Sequence, residues 1–151
     1  KNLVKNVLED TSNILRATKM VPKEIYYYSA ASWKWKAYLT ALKKSVTGTL
    51  AVGTLMKELM ADPELKPVAG KVAKFAQGIT QEINRMPEDM KQKQLQIGAL
   101  DEATLLEQAE AFFGREFNAK IHTYREDDEQ IYDPQRKAGY AKPYRPAIYV
   151  V

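Results

Sequence analysis

Apolar residues open the chain at three- and four-residue spacing. Leu3, Val4, Val7, Leu8, Thr11, Ile14 and Leu15 form one stripe, which predicts an amphipathic helix ending near Lys19. Pro22 sets that limit, because it cannot continue a helix and pushes the residue before it toward extended geometry. The stripe requires a partner surface, either later in this chain or in a domain that precedes it. Glu24-Ile25-Tyr26-Tyr27-Tyr28-Ser29 is short and rich in β-formers, and it predicts a strand. Ser32 suits a helix cap, with Trp35, Tyr38, Leu39, Leu42 and Val46 on the inner face of the helix that follows.

Gly48 and Gly53 mark the join to a second helix of this central region, roughly 50–61, with Leu50, Leu55, Met56, Leu59 and Met60 inward. After a turn at Asp62 to Pro67, Val68, Val72, Phe75, Ala76, Ile79 and Ile83 give the clearest helical period in the chain, closed by Pro87. Residues 87–100 read as a helical turn followed by a short extended piece at Leu95 to Ile97. Asp101 suits the N-cap of a helix through Leu105, Leu106, Ala109, Phe112 and Phe113, with Gly114 near its stop. Alternation from Phe117 to Tyr124 predicts a strand with Phe117, Ala119, Ile121 and Thr123 on one face. Asp133-Pro134 marks a turn and a short helical piece up to Tyr140, and Pro146 to Val151 reads as a final strand. The expected fold is α+β, with five to six helices and a sheet of about three strands paired across long sequence distances.

The 151 residues suffice for one compact domain, or a small domain with a helical extension. A hydrophobic fraction of 45% and a mean hydropathy of −0.46 suit a globular protein, and no apolar run approaches the ~20 residues of a membrane span. The chain begins with Lys1 instead of Met, which suggests a piece of something longer, although a processed or trimmed chain would look the same. Net charge is +4, unevenly spread: nine Lys and Arg against three acids in residues 1–50, and four basic residues with no acid from Pro134 onward. Basic ends with an acidic knot, Glu126 to Glu129, between them suit a nucleic-acid partner, although a solvated uneven surface would look the same.

Zero cysteines and one histidine, His122, remove disulfide scaffolds, thiolate metal sites and Cys–His nucleophile pairs from consideration. The run at 126–129 lacks the spacing and turn glycine of a calcium loop. His122 has no Ser, Cys or Asp at a recognisable motif distance and reads as a surface histidine. The seven glycines form neither a Walker loop nor a dinucleotide fingerprint. What remains is basic residues interleaved with aromatics: Trp33-Lys34-Trp35-Lys36 with Tyr38, and Arg136, Lys137, Tyr140, Lys142, Tyr144, Arg145 and Tyr149. Cations neutralise phosphates and exposed rings stack on unpaired bases, though Trp35 and Tyr38 fall on the inner helix face.

Particular stretches sharpen this. Pro22-Lys23-Glu24-Ile25-Tyr26-Tyr27-Tyr28 followed by Ala31-Ser32-Trp33-Lys34-Trp35, Phe112 to Phe117, Asp133 to Ala138, Ala141-Lys142-Pro143 and Pro146-Ala147-Ile148-Tyr149-Val150 resemble, in order, the C-terminal region of archaeal- and eukaryotic-type leucyl-tRNA synthetases. The resemblance implies that residues 1–21 are the last helix of an anticodon-binding bundle and 22–151 a C-terminal tRNA-binding domain. It implies a cytoplasmic tRNA-binding module with no catalytic centre of its own, and no cofactor; ATP and magnesium would serve the remainder of the synthetase. The expected partners are leucine tRNA, through its long variable arm, and the rest of the synthetase chain, with no membrane partner. Ile148, Tyr149, Val150 and Val151 match the family's tail, which acts largely through backbone groups. Charge alone adds Lys34, Lys36, Arg136, Lys137, Lys142 and Arg145 as candidate RNA contacts. The competing reading is a protein-interaction appendage that docks other translation components through the amphipathic helix 67–86.

Overall fold

The computed structural model describes residues 2–151. The chain forms two compact units, one from residues up to Ala31 together with Asp101–Val151, the other from Ser32–Leu100.

The first unit holds α1 (Asn2–Thr18), β1 (Glu24–Ser29), α6 (Glu102–Gln108), α7 (Glu110–Phe117), β2 (Lys120–Arg125) and β3 (Ala147–Val150). The sheet order is β2-β1-β3, with β1 parallel to β2 and antiparallel to β3. The central position of β1 accounts for its tyrosine run: five of its six residues are buried, so both faces need bulky, β-forming side chains. Leu3 and Val7 of α1, Ile25 and Tyr27 of β1, Leu106 of α6 and Phe113 of α7 make the core, bordered by Ile121, Ile148 and Val150. The α1 stripe therefore finds its partner surface inside this unit. Thr11 is fully buried there; its hydroxyl donates to the Val7 carbonyl (2.7 Å) and accepts from the Tyr27 hydroxyl (2.9 Å). Tyr27→Phe leaves that Thr11 acceptor unmet and is expected to cost about 1 kcal/mol. A urea midpoint equal to that of the parent protein would show that the bond contributes nothing.

The second unit packs α2 (Ser32–Ser45), α3 (Val52–Leu59), α4 (Ala69–Asn84) and α5 (Glu88–Ile97), with a 3-10 turn at Lys66–Val68 leading into α4. Trp35, Tyr38, Ala41 and Leu42 of α2, Leu55 and Leu59 of α3, and Val72, Ala76, Ile79 and Ile83 of α4 fill its core. Asn84 fastens the α2–α3 joint to the end of α4: its side chain accepts from the Leu50 amide and donates to the Leu50 carbonyl, both at 2.9 Å.

The architecture is α+β, with seven α-helices and a three-stranded mixed sheet among the described residues, slightly more helices than the pattern predicts. Residues 88–97 are one helix with no extended piece. Its one buried residue is Lys91, so it carries no apolar period; acidic residues Glu88 and Asp89 in its first turn favour the helix dipole, and Gln94 accepts from the Tyr38 hydroxyl at 2.5 Å. The predicted helix after Asp101 is two, broken at Ala109. Asp101 caps the first as expected, accepting from the Thr104 amide. Gly114 lies inside α7; the stop is Asn118, in the left-handed conformation (φ 50°) that a helix C-terminus favours. Phe117 ends that helix instead of opening β2. A Cβ at Gly114 would sit 3.3 Å from the Ala119 carbonyl, so the glycine permits the tight turn into the strand.

Candidate nucleic-acid interface

The segment that delivers β3 to the sheet is built from short polar clamps. Asp133 accepts from the Lys137 amide (2.7 Å) and the Ala138 amide (3.0 Å), which closes the 3-10 turn Ala138–Tyr140. Arg136 and Lys137 project from that turn, both exposed, with no carboxylate partner among the described residues. Tyr140 follows with 78% of its surface exposed, far more than a ring that belongs to a core. Lys142 and Arg145 then pair through their backbones (3.1 and 2.9 Å) around a turn with Pro143 at its first corner. The second corner, Tyr144, takes φ 69°, which a type II turn demands and a non-glycine residue resists. Glu102 of α6 offsets that strain by accepting from the Tyr144 amide at 2.9 Å.

Arg145 donates to both carboxylate oxygens of Asp10 on α1, at 2.7 and 2.8 Å. Its charge is largely matched within the unit, and its first role is to moor the turn to α1. Between α1 and β3 runs an open cleft of about 410 Å³ lined by Asp10, Asn13, Tyr140, Lys142, Arg145 and Ile148 among others. A second depression of about 320 Å³ lies against Lys137, Tyr140, Ala147 and Ile148. Each is of the size that takes a small organic ring system.

β3 is the edge of the sheet on this side. The Val151 amide donates to the Glu24 carbonyl (2.9 Å) and the Glu24 amide to the Val151 carbonyl (3.2 Å), so this pair faces inward across the ladder. Antiparallel pairing alternates, and with Tyr26 opposite Tyr149 and Tyr27 opposite Ile148, the backbone groups of Ile148 and Val150 point out from the open edge. Their side chains do the reverse and pack toward the core. Tyr149 lies on the other face, stacked on Tyr26 with ring centroids 5.6 Å apart.

That face is aromatic. Tyr26 also stacks on His122 (4.5 Å, planes 14° apart) and meets Tyr132 at 5.1 Å. Nε2 of His122 lies 2.8 Å from Oε1 of Glu24, so the single histidine is half-buried, held between a ring and a carboxylate in place of the surface position its strand pattern suggests.

The remaining candidates lie in the second unit. Lys34 is 4% exposed, its ammonium 5.7 Å from the ring centroids of both Trp33 and Phe75. The helical period carries the signal for this, since 34, 38, 41 and 45 share one face of α2 and all are buried. Lys36 points outward but is held by Asp62 and Glu64, each at 2.8 Å. Tyr140, by contrast, is exposed, and in the sequence its position in a polar stretch, Arg136-Lys137-Ala138-Gly139-Tyr140, is what sets it apart from the core tyrosines. Among the described residues no group of three or more His, Asp or Glu is gathered to hold a metal ion, and no helix is long and apolar enough to cross a membrane.

No family model matches the chain. Relatives do. A leucine--tRNA ligase of Methanosarcina acetivorans is 38% identical over 147 residues, 97% of this chain and 15% of the relative. One from Methanothrix thermoacetophila is 30% identical over 94% of the chain, and one from Pyrococcus abyssi 26% over 99%, each alignment covering 14% of the relative. The chain is a homologue of one segment of the archaeal leucine--tRNA ligases. It spans about 15% of the length of the curated relatives it matches. The leucine--tRNA ligase match runs through both compact units, so the open edge of β3 and the helical second unit fall within one homologous stretch.

Proposed function

We propose that this chain serves a leucine--tRNA ligase as a tRNA-holding module, gripping leucine tRNA at its long variable arm through the β3 edge. One observation supports the reading above the rest: the backbone groups of Ile148 and Val150 face out of an open edge strand, beside Tyr140 and the carboxylate-free Arg136 and Lys137. Backbone donors and acceptors read base edges or sugars, the cations offset phosphates, and the exposed ring stacks on an unpaired base. Lys142 lines the same cleft, while Arg145 acts through Asp10 as a positioning residue. Lys34 and Lys36 are committed inside the second unit. The contribution is binding energy and orientation remote from the reacting bond; the chemistry, with its ATP and magnesium, belongs to the rest of such a cytoplasmic enzyme. The competing dock for translation proteins through residues 67–86 has less support, because the apolar face of α4 is spent on its own core.

Two substitutions at one position test the backbone role. Ile148→Ala keeps the outward amide and removes the side chain; Ile148→Pro removes both, at an edge position that tolerates proline. With folding checked by circular dichroism, the proline variant is expected to bind leucine tRNA about tenfold more weakly than the alanine variant, the equivalent of one lost hydrogen bond to RNA. Equal affinities would exclude the edge amide from the contact.

A further inference from the structure

The second unit is the more cationic of the two. Ser32 to Leu100 holds eleven Lys and Arg against six Asp and Glu, a net of +5, whereas the first unit holds twelve against thirteen. Most of those six acids are occupied locally, Asp62 and Glu64 by Lys36, Glu58 by Lys44 and Glu88 by Lys91. The field that reaches solvent is therefore positive, and α4 gives it a shape.

One face of α4, with Val72, Ala76, Ile79 and Ile83, is buried. Opposite it Lys71, Lys74, Gln77, Gly78, Gln81 and Arg85 are all exposed and recur every three or four residues as one stripe. From Lys71 to Arg85 the stripe rises ~21 Å along the axis. Lys71, Lys74 and Arg85 have no acidic partner among the described residues, and the helix carries a single acid, Glu82. Nothing lies within 4 Å of where a Cβ would stand on Gly78, so another backbone can approach the middle of the stripe closely.

Two kinds of macromolecule would be drawn to such a field, a nucleic acid or an acidic protein. The stripe itself decides between them. Protein interfaces centre on buried aromatic or aliphatic anchors, and this stripe has no apolar side chain at all. Cations spaced along a helix, with amide side chains between them, match instead a repeating chain of phosphates and sugar hydroxyls. We propose that the exposed stripe of α4 is a second RNA contact, one that docks on phosphate backbone without reading sequence and is separate from the β3 edge. It rests on the preceding reading only in taking the partner to be RNA.

The test is the salt dependence of leucine tRNA binding by the whole chain. Each phosphate contact steepens the slope of log K against log salt by about 0.9. The triple variant Lys71→Gln, Lys74→Gln, Arg85→Gln is expected to flatten that slope by about 2–3 units. Loss of affinity at low salt is expected to be equal for full-length tRNA and for tRNA with a shortened variable arm. A charge-matched control, Lys43→Gln, Lys57→Gln, Lys93→Gln, alters three other exposed cations of the same unit. It is expected to leave most of the slope intact. Equal flattening by both triples would overturn the proposal in favour of a diffuse field. An unchanged slope in the α4 triple would overturn it too, and would leave an acidic protein as the partner of the stripe. A flattened slope together with no difference between Ile148→Pro and Ile148→Ala would keep the α4 contact and discard the edge contact.

Discussion

Truncation before Ile148 is expected to unfold the first unit, and not merely to weaken its hold on RNA. The last four residues complete the sheet: Val151 exchanges backbone hydrogen bonds with Glu24 and its carbonyl also accepts from the Lys23 amide at 2.7 Å. Ile148 and Val150 pack beside Ile25 and Tyr27, and Tyr149 stacks on Tyr26. Two half-buried aliphatic side chains at ~1 kcal/mol or more each, several ladder bonds near ~1 kcal/mol each and one ring contact sum to about 5 kcal/mol. That is comparable with the whole stability of a small domain. The truncated chain should lose the cooperative melt of this unit, with dispersed amide resonances kept only for the helical residues 32–100. A truncated protein that melts like the full chain would remove β3 from the account of stability. Any loss of RNA binding on truncation thus has two causes, which is why the substitutions at Ile148 are the cleaner probe.

The second large effect depends on pH. Glu102 is 2% exposed, and burial pushes its carboxyl from 4.5 up to about 7, against the opposing hydrogen bond from the Tyr144 amide. Its other oxygen, Oε1, has no hydrogen-bond partner among the described residues. Between pH 4.5 and 7 the folded state therefore holds a proton that the unfolded chain releases, so stability falls as pH rises across that window and levels off above it. The shift corresponds to about 3 kcal/mol. Glu102→Gln keeps an acceptor for the Tyr144 amide and cannot ionise; it is expected to raise stability at pH 8 by about 2–3 kcal/mol while changing little at pH 5. Glu102→Ala frees the Tyr144 turn and should destabilise at both. Denaturation midpoints of Glu102→Gln that track those of the parent protein from pH 5 to 8 would show that this carboxyl does not titrate in the fold.

Sequence pattern captured the elements that have a period or a strong composition. The α1 stripe, the tyrosine strand and the run from Val72 to Ile83 appear where the pattern puts them, because burial is what makes those residues apolar. It failed where burial is not the organising force. Glu88–Ile97 is polar almost throughout and is held by a favourable first turn and by Tyr38, neither of which leaves an apolar period. The break at Ala109 was invisible because apolar positions continue across it. Pairing order was invisible too: Ile25 lies beside Ile121 in parallel and opposite Val150 in antiparallel, and no local feature names either partner.

The candidate site divides in the same way. The cations at Arg136 and Lys137 were legible as charge in a polar stretch. Whether a cation is available is a property of its neighbours, and Asp10 beside Arg145, or Asp62 and Glu64 around Lys36, are distant in sequence. Which edge of the sheet β3 would occupy, and so which of its backbone groups face outward, follows from topology alone. The basic stripe on α4 was present in the sequence all along, as the polar complement of the most regular apolar face in the chain.

The proposed role is a hold on leucine tRNA through its variable arm. Binding of the whole chain to leucine tRNA, compared with the same tRNA carrying a shortened variable arm at two salt concentrations, addresses it directly. Weaker binding to the shortened tRNA is expected at both concentrations, with the arm-dependent difference surviving the higher one. Equal affinity for the two tRNAs would contradict it.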